Sequence, residues 1–102
     1  MNRTEFIQSI GDTYKGARLL VEKKNQDYAG DNDPFMNFKN SECIGVDVQR
    51  GILVRMMDKV TRISNLLEKE AAVVDESIDD TIMDLCNYAA ILKAYREHDK
   101  EK

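Results

Sequence analysis

The sequence has few residues that break helices and few that bind soft metal ions. Its 102 residues include one proline, five glycines, two cysteines and one histidine. Two cysteines, Cys43 and Cys86, are too few for a disulfide framework, and they lack the spacing of zinc ligands. The histidine, His98, lies in a charged tail. We therefore expect reduced thiols and no zinc.

Long apolar runs and basic runs are also scarce. The longest apolar stretches, such as residues 51–54, have about four residues, whereas a membrane helix needs about 20. The N-terminus shows no apolar segment followed by a small-residue cleavage site. The 15 Lys and Arg residues are outnumbered by 19 Asp and Glu residues, for a net charge of −4. We expect a cytoplasmic protein that binds neither membranes nor nucleic-acid polymers.

The scarcity of helix breakers favours a few long helices. Apolar residues recur at steps of three and four in segments 4–27 and 47–70, and from about residue 75 into the C-terminal tail. Thr4 and Asp47 are suited to cap the first two helices. Because the link at 70–74 is short, the second and third helices should form an antiparallel hairpin. The predicted apolar faces consist of Phe6, Ile10, Tyr14, Ala17 and Val21, then of Val48, Ile52, Met56, Val60, Ile63 and Leu67, and last of Ile78, Ile82, Leu85, Ala89 and Leu92.

A polar segment with embedded aromatic residues separates the first two helices. Residues 28–38 combine turn formers with Tyr28, Phe35 and Phe38, which exposed loops rarely carry unpacked. We expect an ordered loop with a short helix or turn at 35–43. The fold class is therefore all-α, with three long helices and one short element in a single domain over residues 1–102. A domain of this size buries only roughly 60–65% of its unfolded surface, so we also expect a homo-oligomer.

The third predicted helix has an acidic stripe opposite its apolar face. Glu76, Asp80, Asp84 and Asn87 fall within roughly 80° of arc at 100° per residue. Acids near a helix N-terminus are stabilised by the helix dipole, and this alone could account for them. Alternatively, they could ligate Mg²⁺, which prefers oxygen ligands and keeps one or two carboxylates, several waters and a substrate phosphate.

The second predicted helix has a mostly cationic stripe over roughly 100° of arc. The stripe consists of Arg55, Asp58, Lys59 and Arg62. If the two stripes face each other, they could form interhelical ion pairs, such as Arg62 with Asp80 or Arg55 with Asp84, that set the register of the hairpin. Alternatively, the cations could hold phosphate, which arginine binds through two parallel hydrogen bonds and lysine binds as a point charge.

The loop and the end of the first helix contain residues suited to a nucleobase. They are Lys24, Asp27, Tyr28, Asp33, Asn37 and Phe38. An aromatic ring can stack on a base, and an amide can hydrogen-bond its edge. Phe35 and Phe38 could equally be plugs that close one end of a helical bundle.

These segments together resemble a known family. The resemblance lies in residues 24–29, 33–38, 51–63 and 76–89, most specifically in the Asp-Tyr, Asp-Pro-Phe and Asn-Phe steps of the loop and in the Glu-Ser-Ile and Asn-Tyr steps of the third helix. The pattern resembles small phage and prophage nucleotide-modification-associated proteins, which are similar to the MazG-like all-α nucleoside triphosphate pyrophosphatases. The resemblance spans about residues 20–92. It implies a MazG-like bundle in the cytosol of a bacterial host, dimeric or tetrameric, with nucleotide pockets between helices.

The sequence departs from the metal-binding motifs of the pyrophosphatases. Those enzymes hold Mg²⁺ with a Glu-Glu-x-x-Glu motif and a Glu-x-x-Asp motif. Asp80 fits the aspartate of the second motif, but Ser77 stands at its glutamate and Glu76 is displaced by one residue. At the positions of the first motif, Asp58 keeps one of the three acids, and Lys59 and Arg62 replace the other two. Cations cannot ligate Mg²⁺, but they can neutralise phosphate directly.

Three functions are consistent with these patterns. The first is a nucleotide-binding protein that captures a phosphate-bearing nucleotide, linear or cyclic, without hydrolysis and without a cofactor, as a sponge against nucleotide-signalling defence of the host. Its ligand-binding residues would be Lys24, Asp27, Tyr28, Phe35, Asn37, Phe38, Arg55, Lys59, Arg62 and Asn87. The second is a Mg²⁺-dependent pyrophosphohydrolase of normal or modified nucleotides, and its metal ligands would be Asp58, Glu76, Asp80 and Asp84. The third is a structural adaptor in which the charged stripes only pair the two helices.

Overall fold

The computed structural model describes residues 1–28, 33–69 and 77–100, except for the side chains of residues 26–28 and 77. Within these ranges all regular structure is helical, and the predicted all-α class is confirmed. The elements are α1 (Arg3–Tyr28), a 3₁₀ helix (Met36–Ile44), α2 (Val48–Lys69) and α3 (Ser77–Lys100). In the described part of the chain, no helix is long and apolar enough to cross a membrane.

Short polar side chains cap the first two long helices. The side chain of Asn2 accepts a hydrogen bond from the backbone N–H of Glu5 at 2.8 Å. The cap of α1 is therefore Asn2, and the prediction of Thr4 is wrong by two residues, because both residue types suit this position and the local pattern does not separate them. Asp47 caps α2 as predicted, since its carboxylate accepts a hydrogen bond from the backbone N–H of Arg50 at 3.1 Å.

A carboxylate holds the start of the 3₁₀ helix. Asp33 accepts hydrogen bonds from the backbone N–H of Phe35 at 2.9 Å and from Lys39 Nζ at 2.6 Å. Gly45, with φ of 79°, ends the helix in the left-handed conformation that glycine adopts at little cost. The predicted short element at 35–43 is confirmed as a 3₁₀ helix of nine residues, which is long for this type of helix.

Low pH is expected to remove the stability that the hydrogen bonds of Asp33 contribute at the start of the 3₁₀ helix. The hydrogen bonds from Lys39 and from the backbone N–H of Phe35 lower the pKa of Asp33 below its ordinary value of 3.8. A carboxyl group with a lowered folded-state pKa contributes stability above its unfolded pKa and loses that contribution as the pH falls through the folded-state pKa. Between about pH 5 and pH 2, the Tm of the wild type should therefore fall more steeply than that of Asp33→Asn. Asp58→Asn, the same change at an exposed acid of α2, should keep the wild-type slope, and equal slopes for all three proteins would contradict the assignment.

Three side-chain contacts define the pairing of α2 with α3. They join Gln49 to Arg96 at 3.0 Å, Lys59 to Asp84 at 3.4 Å and Arg62 to Thr81 at 3.3 Å. As the residue number rises along α2, it falls along α3, so the helices are antiparallel. The predicted hairpin is confirmed, although its link lies outside the described residues.

The core is small, and part of it is polar. Within the described ranges, the buried apolar residues are Ala17, Val48, Ile52 and Ile78, and Thr81 and Asn87 are also buried. The predicted apolar faces are therefore only partly buried. Phe6, Ile10 and Tyr14 of α1 are exposed, as are Val60 and Leu67 of α2 and Ile82 and Ala89 of α3.

The prediction for α3 was wrong in a specific way, because it placed all inward-facing residues on one apolar face. This helix packs against both α1 and α2, so two of its sides are covered. Asn87, which was assigned to the polar stripe, is 9% exposed, whereas Ile82 of the apolar face is 38% exposed. A helix between two neighbours has no single buried face to be read from periodicity.

Candidate ligand site

Asp84 lies between two lysines that come from different helices. Its Oδ1 is 3.2 Å from Lys24 Nζ on α1, and its Oδ2 is 3.4 Å from Lys59 Nζ on α2. The side chains of Asp84 and Lys59 are 23% and 28% exposed, and that of Lys24 is 53% exposed. One carboxylate thus connects all three long helices and holds two ammonium groups in a partly buried position.

Arg62 continues the cationic row by one helical turn beyond Lys59. Its Nε donates a hydrogen bond to the hydroxyl oxygen of Thr81 at 3.3 Å. The expected ion pairs of Arg62 with Asp80 and of Arg55 with Asp84 are therefore corrected. The offset of the two helices places Thr81 beside Arg62 and Asp84 beside Lys59.

Arg55 extends the row in the other direction, where it meets the 3₁₀ helix. Its guanidinium lies 4.6 Å from the centre of the Phe38 ring and donates a hydrogen bond to the carbonyl oxygen of Asn37 at 2.9 Å. The Phe38 ring in turn makes an edge-to-face contact with Tyr88 at 6.2 Å between centroids. Phe38 and Arg55 therefore form a flat aromatic and guanidinium stack at one end of the row.

Asn87 is a buried amide next to this row. It lies three residues after Asp84 on α3, and the register set by the Lys59–Asp84 and Arg62–Thr81 contacts places it level with Met56 of α2. It is 9% exposed, yet within the described residues its side chain makes no hydrogen bond. An unsatisfied buried amide costs roughly 1–3 kcal/mol. Such a group in a native fold calls for a ligand, a water molecule or another partner.

Phe35 belongs to a separate aromatic cluster. Its ring lies 5.3 Å from the rings of both Tyr95 and His98, near the C-terminal end of α3. Since Tyr95 follows Tyr88 by seven residues, the two clusters are about two helical turns apart. The structure therefore places Phe35 away from the cations, in the plug position that the sequence left open. Burial raises the pKa of Tyr95 in this cluster.

The acids that were candidate metal ligands are dispersed. Asp58 and Asp80 are exposed, and Asp84 is taken up by its two lysines. Glu76 lies outside the described residues, as do the side chains of Asp27 and Tyr28. Among the residues that the structure describes, no three His, Cys, Asp or Glu side chains come together as a metal site.

An open groove between the first turns of α1 and the start of α3 is a second concave surface. Its acidic lining residues are Glu5, Asp12 and Asp79, and the part of the lining that the structure describes contains no lysine or arginine. Such a lining repels phosphate, so this groove does not fit an anionic ligand.

Sequence reasoning missed four residues that shape these clusters. They are Thr81, Tyr88, Tyr95 and His98. The seven-residue spacing of Tyr88 and Tyr95 is a helical signal that could have indicated two aromatic anchors on α3. His98 had no such signal, because its contact with Phe35 joins residues that are 63 positions apart.

The comparisons with known proteins bear on the hairpin that carries most of this row. Residues 45–93 match the model of nucleotide modification associated domain 1. The match covers somewhat less than half of the chain and includes Arg55, Lys59, Arg62, Asp84 and Asn87, but not Lys24 or the 3₁₀ helix. No curated protein and no solved structure matches the chain significantly.

Proposed function

We propose that the protein binds a phosphate-bearing nucleotide, linear or cyclic, without hydrolysing it. The observation that carries the proposal is the row of four cations, Lys24, Arg55, Lys59 and Arg62, beside the buried amide of Asn87, which has no hydrogen bond among the described residues. The match to a nucleotide-modification-associated domain over the same hairpin supports a nucleotide as the ligand.

The cations have donors left for phosphate oxygens. Each lysine ammonium has three N–H donors and each guanidinium has five. Lys24 and Lys59 each contact one oxygen of Asp84, and Arg55 and Arg62 each make one hydrogen bond. Because Arg55, Lys59 and Arg62 are spaced at three or four residues along α2, the row can contact more than one phosphate.

The planar groups and amides in and around the row suit a base. Phe38 and the guanidinium of Arg55 offer flat surfaces for stacking, and the amides of Asn87 and Asn37 can donate to and accept from a base edge. Tyr28 and Asp27 are proposed ligand residues at the end of α1. Phe35 lies in the other aromatic cluster, where its ring contacts Tyr95 and His98.

The two lysine contacts of Asp84 favour capture of the nucleotide without hydrolysis. A carboxylate that contacts two lysines is a poor ligand for Mg²⁺, because the ammonium groups compensate the charge that the metal would need. Sequestration of a nucleotide needs affinity and no catalytic metal. We therefore propose, as the biological role, a phage-type sponge that removes a nucleotide signal used in host defence.

The test is a thermal-shift screen of the full chain against ATP, a cyclic dinucleotide and a cyclic trinucleotide, each with Mg²⁺ and with EDTA. A ligand at 100 times its Kd adds about 2.7 kcal/mol to the unfolding free energy. We expect stabilisation in EDTA, with the nucleotide recovered intact by chromatography. Stabilisation that requires Mg²⁺, with pyrophosphate released, would instead show a pyrophosphohydrolase that uses Asp58, Glu76, Asp80 and Asp84. No stabilisation by any nucleotide would favour the structural adaptor.

Asp84→Asn distinguishes direct phosphate binding from a metal site, because it changes the nucleotide affinity in opposite directions in the two cases. For direct phosphate binding, the loss of one partly exposed negative charge should raise nucleotide affinity by roughly three- to tenfold. For a metal site, the same change removes a ligand and lowers affinity in Mg²⁺. Lys59→Gln should lower affinity in EDTA, and Lys93→Gln, a matched change at an exposed lysine paired with Glu97 on α3, should leave it unchanged.

A further inference from the structure

The outer side of α2 has an apolar stripe that nothing covers in the described chain. Leu53, Met57, Val60 and Leu67 are 43–60% exposed. At 100° per residue they lie within roughly 80° of arc. Leu53, Val60 and Leu67 are spaced by seven residues, which is the repeat of helices that pack along one another. We call these four residues the α2 stripe.

The chain exposes more surface than a compact monomer of its mass. Its accessible surface is 7951 Å², whereas a folded monomer of 11.7 kDa has about 5,900 Å². Its radius of gyration is 15.8 Å, against about 13 Å for a compact domain of this length. A standard stable interface takes roughly 800 Å² from each partner, and a surface of this extent has room for one.

The charges beside the α2 stripe indicate which partner fits it. Arg50 and Glu68 are 18 residues apart, which is five full turns, so they lie on the same flank at opposite ends. When two identical helices pack antiparallel, equal flanks face each other. Arg50 of one copy would then approach Glu68 of the other, and the stripe is complementary to itself. In the single chain, Arg50 is 79% exposed on the surface and pairs with the neighbouring cap Asp47.

We propose that α2 packs antiparallel against α2 of a second copy, about a two-fold axis near Val60. Leu53 then meets Leu67 of the partner subunit, and two Arg50–Glu68 pairs close the ends. Arg55, Lys59 and Arg62 lie roughly 120–180° around the helix from the α2 stripe. The dimer therefore leaves the cation row open, and the proposal does not depend on the nucleotide function.

The experiment measures the mass of the full chain by sedimentation equilibrium over a range of concentrations. The wild type is expected to be a dimer. The variant Val60→Glu, changed at the centre of the stripe, is expected to be a monomer. Ile10→Glu, a matched change at an exposed apolar residue of α1, is expected to remain dimeric. A monomeric wild type, or dissociation by Ile10→Glu but not by Val60→Glu, would overturn the proposal.

A charge exchange keeps the test decisive if Val60→Glu fails to fold. Arg50→Glu and Glu68→Arg should each weaken the dimer by roughly tenfold or more, since like charges then face each other. An equimolar mixture of the two variants should dimerise as well as the wild type, because each chain then supplies the charge that the other lacks. Failure of the mixture to recover would show that the helices do not pair in this antiparallel arrangement.

Discussion

Gly51→Ala is expected to lower the unfolding free energy by roughly 1–3 kcal/mol, as overpacking of a close contact does. A Cβ atom at this position would lie 2.6 Å from Ser41 Oγ and 2.9 Å from Ser41 Cβ. Ser41 belongs to the 3₁₀ helix, and its one hydroxyl hydrogen is shared between the carbonyl oxygens of Phe38 and Asp47, each 3.4 Å from Oγ. The alanine therefore has to push the 3₁₀ helix away from α2. The measurement is the Tm, which shifts by roughly 4–8 °C per kcal/mol in a small domain.

Two further variants test whether this contact causes the loss. Gly11→Ala, also within a helix, meets nothing within 4 Å, and it should stabilise the protein by up to about 1 kcal/mol because alanine is the better helix former. Ser41→Gly, added to Gly51→Ala, should recover part of the lost Tm. If the alanine variants at positions 51 and 11 shift Tm in the same direction, the close approach is not the cause.

The same glycine contributes to the proposed ligand site. The close contact of Ser41 with α2 holds the 3₁₀ helix where Asn37 and Phe38 reach Arg55. Gly51→Ala should therefore also lower nucleotide affinity at temperatures where the variant is still folded.

Asn87→Leu is expected to raise stability and to lower nucleotide affinity. Its buried amide has no hydrogen bond within the described chain. An apolar side chain of similar size should recover part of the roughly 1–3 kcal/mol that an unsatisfied amide costs. If the amide binds the nucleotide, the variant loses that contact, and an affinity loss of roughly tenfold or more follows. Opposite changes in Tm and in affinity are typical of a residue kept for binding.

The measurements are the Tm without ligand and the Kd by titration calorimetry. Asn65→Leu, the same change at an exposed position of α2, should alter stability by no more than about 0.5 kcal/mol and leave affinity unchanged. A lower Tm for Asn87→Leu together with wild-type affinity would mean that the amide is satisfied by water in the fold and takes no part in binding.

Much of the fold could be predicted because its signals are local. The three long helices begin and end within a few residues of their predicted bounds wherever the structure describes them, and Asp47 caps α2 as its position before an apolar repeat indicates. The antiparallel hairpin followed from a short link. The homo-oligomer and the similarity to MazG-like pyrophosphatases stay predictions.

The candidate site could be predicted only as a set of residues. The structure brings together Lys24, Arg55, Lys59, Arg62 and Phe38 near Asp84 and Asn87, but it separates Phe35 and leaves Asp58 and Asp80 exposed. The predicted ion-pair partners were wrong because the register of two helices cannot be derived from the period of each. A shift by one turn moves every contact by 5.4 Å and exchanges one polar partner for the next.

The sequence by itself determined that this protein is helical, where its helices start to within about two residues and which side of α2 is cationic, because propensity, capping and periodicity act within one segment. Only the tertiary structure decided that Asp84 holds two lysines, that Arg55 lies on Phe38 and that Asn87 is buried with no hydrogen bond inside the described ranges. These features join residues from different helices, and they depend on how far each helix is rotated and displaced against its neighbours.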